Sequence, residues 1–170
     1  MTVLRPVTGA DVALLEGERG GPDTAGKFGW FGYRDPRGIS EMVEQGKTLR
    51  DDGGRLVVVD DSGEPVGEVS WRLTLNGPPP YGECWNIGIW IAPDARGKGH
   101  GSAAQRLLAE YLFAHTLRER VEAGTELGNV GEQRALENAG FTREGVLRRA
   151  CFRDGEWRDM VMYSKLRGEE

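Results

Sequence analysis

Cysteine and histidine are scarce in this chain of 170 residues, which has two of each. Cys84 and Cys151 cannot build a disulfide framework, and with only His100 and His115 beside them a zinc site of ordinary composition is not expected. No metal is therefore expected, and a reducing cytoplasm is the default compartment. Long apolar runs are missing too. The stretch from Ile87 to Ala92 is interrupted by Gly88, and Met1 to Arg5, followed by Pro6, lacks the apolar segment of a signal peptide. Neither secretion nor a membrane span is expected. The net charge of −5 and pI near 5.2 argue against nucleic acid as a partner. Lysine is rare as well, with four against 18 arginines, a bias that reads as composition rather than function.

What the chain has in excess is glycine, 26 residues, about twice the usual ~7% share. With proline it still stays below the ~25–30% of low-complexity chains, and five tryptophans argue for a packed core. The length suits one domain, residues 1–170, able to bury roughly 70% of its unfolded surface. Residues 1–85 hold 9 Lys/Arg against 14 Asp/Glu, and residues 86–170 hold 13 against 13, so all of the net charge lies in the first half. Two readings stand: ordinary solubility, or an N-terminal half that faces a cationic substrate.

Hydrophobic periodicity divides the chain into short elements. Thr2 to Pro6 reads as a strand, and Thr8 as the cap of a short helix carrying Val12, Leu14 and Leu15. Residues 17–38 read as a loop rich in glycine and aromatics, and Ser40 to Arg50 as a polar helix. Arg55 to Asp60 and Pro65 to Leu75 form a hairpin pattern in which Val69, Trp71, Leu73 and Leu75 alternate with Glu68, Ser70, Arg72 and Thr74. A strand from Glu83 to Ala92 follows, then a helix from Gly99 to His115 with Ala104, Leu107, Leu108, Tyr111 and Leu112 on one face. Arg120 to Ala123 reads as a brief strand and Val130 to Ala139 as a helix. The last two strands flank Asp154-Gly155, a type I′ turn pair. This order implies one α/β domain with a mixed sheet.

The segment from Ile87 to Ser102 carries the chemistry. It reads as strand, turn, glycine loop and helix, with glycines at 97, 99 and 101 where a helix start presents unpaired N–H groups and the positive end of its dipole. That is a cradle for a pyrophosphate. The string Arg-x-x-Gly-x-Gly alone should arise by chance about 0.4 times in a chain of this composition, so the strand before it and helix after it carry the weight. A tight strand-to-helix turn is the plainer alternative.

At these residues the sequence resembles the GCN5-related N-acetyltransferase (GNAT) family, in particular its ribosomal-protein-alanine and antibiotic N-acetyltransferase branch. Arg96-x-x-Gly99-x-Gly101 looks like that family's acetyl-CoA loop. A second block agrees: Asn129, Arg134 to Phe141, Glu144-Gly145, and a closing hairpin ending at Tyr163-Ser164. The resemblance runs from Thr2 to Leu166. It implies a single-domain fold with a twisted, mostly antiparallel sheet of six or seven strands and about four helices, whose splayed central strands hold the CoA arm. Residues 1–85 would then form mainly the acceptor side and 86–166 mainly the acetyl-CoA side.

By the same resemblance, the backbone of Ile89, Trp90 and Ile91 would bond the pantetheine arm, Asn129 would meet it, and an N–H near Ile89 would polarise the thioester carbonyl. Arg96, Gly97, Lys98, Gly99, His100, Gly101 and Ser102 would form the phosphate loop. A carboxylate is the expected helper in deprotonating an amine, with Glu83 and Glu68 as candidates beside the plain reading of solvated strand carboxylates. Asn86 stands where many relatives carry an acid. Leu136 replaces the family's usual tyrosine, Glu132 the branch's frequent serine, and Tyr81 and Tyr163 remain as proton donors. Phe28, Trp30, Phe31 and Tyr33 are the candidate acceptor-binding residues, or else a lid packed on the core.

Other signals are weaker. Gly21 to Lys27 mimics a P-loop, but Phe28 replaces its Ser/Thr. Cys84 reads as a structural thiol. Arg148, Arg149 and Arg153 read as a surface or dimer feature. The expected activity is acetyl transfer from acetyl-CoA to a small-molecule primary amine, with a protein N-terminal amine or a non-catalytic acyl-CoA-binding domain as alternatives. A homodimer is left open.

Overall fold

The computed structural model describes residues 1–17, 20–35 and 37–169. Glu18, Arg19 and Pro36, within the expected loop 17–38, lie outside the described residues. The elements run β1 (Val3–Pro6), α1 (Val12–Gly17), α2 (Pro22–Ala25), α3 (Gly38–Glu44), β2 (Leu49–Arg50), β3 (Gly53–Val59), β4 (Pro65–Leu75) and β5 (Glu83–Ile91). They continue with α4 (His100–His115), β6 (Arg120–Glu126), α5 (Val130–Asn138), β7 (Thr142–Arg153) and β8 (Glu156–Leu166).

The strands form one sheet in the order β1-β3-β4-β5-β6-β8-β7, with β2 beside β3. Among the described residues only β5 and β6 pair in parallel; the other pairs are antiparallel. The expected mixed, mostly antiparallel sheet is therefore present. Among the described residues it has eight strands rather than six or seven, because Leu49 and Arg50 pair with Gly54 and Gly53. That pairing also corrects the expected helix from Ser40 to Arg50: α3 stops at Glu44, and Gly46, at φ +65°, turns the chain toward the sheet. Ser40 lies inside α3, where its hydroxyl donates to Glu16 at 2.8 Å. The loop expected over 17–38 contains the single turn of α2, begun by Pro22. Asp154 and Gly155 both take positive φ, as a type I′ turn requires.

Alternation along β4 separates two layers. Val69 and Trp71 face a core with Trp85, Ile87 and the buried side of α4, namely Ala104, Leu108 and Leu112. Each fully buried leucine there contributes about 1.5–3 kcal/mol by leaving water. On the opposite face, Val57 and Val59 pack with Leu15 and Ile39 of α1 and α3. Glu68, Ser70 and Arg72 share that second face by parity, beyond the end of its apolar cluster.

Candidate functional site

The parallel pairing of β5 with β6 is short. It joins Trp85, Asn86 and Ile87 to Val121, Glu122 and Ala123 and then ends. Both strands continue: β5 pairs with β4 as far as Ile91, and β6 with β8 as far as Glu126. They therefore diverge past Ile87. The edge of β5 at Ile89, Trp90 and Ile91 opens on a gap rather than a strand, which offers backbone groups to an extended ligand.

Two helix starts flank that gap. After β5 the chain turns through Pro93–Ala95, and Gly97 (φ +73°) and Gly99 (φ +85°) adopt left-handed angles that deliver it into α4. The first bond of α4 runs from the Ala103 amide to the Gly99 carbonyl at 3.1 Å. The His100, Gly101 and Ser102 amides thus precede the helix ladder, and the first turn contains no acidic side chain. A Cβ at Gly97 or Gly99 would meet nothing within 4 Å, so the surface above both is open. An anion-bearing group such as a CoA pyrophosphate fits this seat and its pantetheine arm fits the gap.

Gly101 differs from the other two loop glycines. Its missing Cβ would lie 3.9 Å from Ala135 and from Ile89 Cδ1, so it faces inward at the meeting of α4, α5 and β5. Lys98 is exposed, and His100 Nδ1 lies 3.1 Å from the Thr2 hydroxyl. Arg96 turns back: its Nε donates to the Ile91 carbonyl at 2.8 Å and its Nη2 to the Thr24 carbonyl at 3.3 Å. The Trp90 indole N–H donates to the same Thr24 carbonyl at 3.1 Å. The single turn of α2 is thereby tied to the end of β5.

Asn129 caps α5 on the far rim of the gap. Its Oδ1 accepts from the Glu132 amide at 3.4 Å and its Nδ2 donates to Thr125 at 3.0 Å. Phe28 reaches toward the same rim: its ring lies 3.7 Å from where a Gly128 Cβ would sit, and the Arg153 guanidinium is 5.6 Å from its centroid. Arg153 is 5% exposed and ion-paired to Glu126, which corrects its assignment to a surface cluster. Two bonds from its Nε and Nη2 to Glu126, one from Nη1 to Asp154 and the nearby Phe28 ring offset its burial.

On the other sheet face, a cavity of about 270 Å³ lies over β4 and β5. Trp30, Phe31 and Arg34 wall it, Gly88 forms part of its floor, and Arg55 and Glu68 line one side. Glu68 is 5% exposed; Arg55 donates to one of its oxygens, and the other, Oε2, is buried with no hydrogen-bond partner among the described residues. A buried carboxylate oxygen without a donor is costly unless a ligand supplies one. Of the acceptor residues expected from sequence, Trp30 and Phe31 line this cavity. Tyr33 is 87% exposed and stacks edge-on against Trp30, while Phe28 reaches the rim of the gap.

Of the three candidate catalytic residues, the structure brings only Glu68 to the cavity. Glu83 begins β5 and is ion-paired to Arg118. Six residues of strand, about 20 Å, separate it from Ile89. Tyr81 lies on the β4–β5 connection and is 91% exposed. Tyr163 is fully buried and donates to Glu137 at 3.0 Å. Cys84 is buried and its thiol is pushed up to about 11 chiefly by burial, so it remains a thiol, as read from sequence.

Sequence reasoning gave no role in the site to Glu132, Arg55 or Gly88. Glycine inside an otherwise apolar strand was the available signal for Gly88, whose missing side chain leaves Ser70 Oγ room, at 3.1 Å from the Cβ it lacks. Glu132 lies in the first turn of α5, beside Gln105 of α4. Burial pushes its carboxyl up to about 7, against a smaller lowering effect of the Gln105 hydrogen bond. Because the folded value lies above the unfolded one of 4.5, ionising Glu132 weakens the fold. The penalty is absent below pH 4, grows between about 4.5 and 7 and is complete above. Glu132→Gln should therefore raise unfolding free energy by roughly 2–3 kcal/mol at pH 8 and leave it unchanged at pH 4. Urea titrations at both pH values check this; an equal gain at both would assign the effect to packing.

The profile of the acetyltransferase (GNAT) domain matches residues 2–142. The chain belongs to the GNAT family. Among curated proteins of Bacillus subtilis (strain 168), it is 38% identical over 73 residues to the probable N-acetyltransferase YjcK, spanning 43% of this chain and 40% of that protein. It is 37% identical over 103 residues to YdaF, provisionally named a ribosomal N-acetyltransferase, spanning 61% of this chain and 56% of YdaF. The chain thus aligns with about half the length of these relatives. Spermidine N-acetyltransferase of Vibrio cholerae, solved with CoA and spermine, superposes with a TM-score of 0.77 at 20% identity, covering 99% of this chain and 96% of that one. Ribosomal-protein-S5-alanine acetyltransferase of Vibrio fischeri gives the same TM-score and identity, over 99% and 95%. These structures share the GNAT fold with this protein. No helix among the described residues is long and apolar enough to cross a membrane.

Proposed function

We propose that this GNAT protein transfers the acetyl group of acetyl-CoA to a primary amine of a small molecule held in the cavity over Gly88. The observation that carries this reading is the shared use of β5. Its edge past Ile87 borders the gap and the α4 start, and its face at Gly88 to Trp90 floors the cavity with Glu68. Cofactor and acceptor can therefore meet across one strand.

Bound acetyl-CoA supplies the activated acetyl group as a thioester. The α4 amides and the open backbone at Gly97 and Gly99 hold the pyrophosphate. The β5 edge from Ile89 to Ile91 aligns the arm, and an amide near Ile89 stabilises charge on the carbonyl oxygen under attack. Glu68 Oε2 accepts a proton from the incoming ammonium, directly or through water. Glu132, on the first turn of α5, with its carboxyl raised to about 7, is about half protonated at neutral pH and is our candidate to give a proton to the departing thiolate.

A thiol-release assay with acetyl-CoA and a panel of amines tests the reading, together with calorimetry of CoA binding. We expect CoA to bind and at least one small amine to be acetylated. Tight CoA binding with no acetyl transfer to any amine would overturn it in favour of an acyl-CoA-binding domain, and transfer only to peptide N-termini would move it to protein acetylation.

A further inference from the structure

A second cavity, of about 260 Å³, adjoins the first on the same sheet face. The two share Arg55, Ser70 and Gly88. Lys47, Arg50, Arg55 and Arg72 line the second, and Arg34 and Arg55 the first. Glu68 is the only carboxylate lining either among the described residues. Two of the five cations are neutralised locally, Arg55 by Glu68 and Arg50 by Asp52 at 3.0 Å. Among the described residues, Arg34, Lys47 and Arg72 have no ion-pair partner.

This local excess of positive charge lies in a chain of net charge −5 and within its more acidic half. Of the two readings of that charge imbalance it favours ordinary solubility over a half that faces a cationic substrate, because Glu68 is the one acidic side chain of that half, among the described residues, that lines these cavities. Concave surfaces focus such a field, so an anion is attracted and a polycation repelled.

We infer that the acceptor is a small amine carrying its own anionic group, a phosphate or carboxylate set several bonds from the nitrogen. The inference rests on the acetyl-transfer reading above. The amine lies at Glu68 and the anion beyond Arg55, toward Arg72 and Lys47. Glu68 and Arg72 are four residues apart on one face of β4, about 13 Å between backbones. Side chains that lean together shorten this to roughly 7–10 Å between charges, longer than the spacing within an α-amino acid. Ser70 and Gly88 form the floor between the two ends, where a hydroxymethyl group and a bare backbone leave room for the linking atoms.

Acceptors of one length test this directly: aminohexyl phosphate, aminohexanoate, hexylamine and diaminohexane, each with acetyl-CoA in the thiol-release assay. We expect at least one of the two anionic amines to exceed hexylamine and diaminohexane by about tenfold or more in kcat/KM, and their ratio tells phosphate from carboxylate. Arg72→Ala and Lys47→Ala should each raise KM for that anionic amine about tenfold, with KM for acetyl-CoA and all constants for hexylamine unchanged. Equal or better turnover of diaminohexane or hexylamine, or an unchanged KM in both variants, would overturn the inference while acetyl transfer stands. If no amine is acetylated, calorimetry of aminohexyl phosphate with the CoA-saturated protein separates the two proposals: binding that weakens in Arg72→Ala keeps the anion site, and no binding removes it.

Discussion

Replacing Gly99 by valine should weaken CoA binding by about 30-fold or more, close to 2 kcal/mol, in isothermal titration. Gly99 sits at φ +85°, where a side chain costs about 1–2 kcal/mol and a β-branched one more. If the backbone kept its conformation, that strain would burden free and bound protein alike and cancel from the affinity. A loss of affinity therefore reports displaced amides, or a side chain occupying the open surface above the loop. Gly101→Ala is the matched control. Its added methyl meets Ala135 and Ile89 at ordinary contact distance, and alanine favours the first turn of α4, so CoA affinity should change less than threefold. An unchanged affinity in Gly99→Val, with urea stability lowered by the strain alone, would remove the phosphate cradle and leave a simple turn.

The second large effect belongs to Glu68. Glu68→Gln should lower kcat/KM for the preferred amine about 100-fold or more and abolish the acidic limb of its pH profile, with CoA affinity unaltered. Glutamine preserves the volume of the side chain but accepts no proton at this site. Arg55 would lose its charged partner, so a urea titration must accompany the kinetics; a normal midpoint beside the kinetic loss assigns the effect to chemistry. Glu83→Gln should leave the profile intact, because Glu83 lies at the paired end of β5 with Arg118. Retention of the acidic limb in Glu68→Gln would remove Glu68 as the base.

Much of the fold is legible because its signals are local. Alternation of Val69, Trp71 and Leu73 with polar neighbours, the apolar stripe of α4 and the Asp154-Gly155 turn each depend on residues a few positions apart. The misreading at Ser40 to Arg50 has the opposite origin. Leu49 and Arg50 become strand only because Gly53 and Gly54 fold back beside them. The single turn of α2 is likewise below the length that helical periodicity can register.

The sequence by itself determined the family resemblance, the glycine loop between β5 and α4 and most of the order of elements, since all three lie in contiguous residues whose backbone needs are written in glycine, proline and hydrophobic spacing. Only the tertiary structure decided which side chains meet. It separated Gly99 from Gly101, left Glu83 and Tyr81 away from the cavity, and gathered Arg34, Lys47, Arg55 and Arg72 from four segments onto one face of the sheet. Charge counted along a chain adds acids and bases wherever they fall, whereas a ligand responds to those brought within a Debye length of about 8–10 Å by the sheet. The acidic half of this sequence therefore presents a basic pocket.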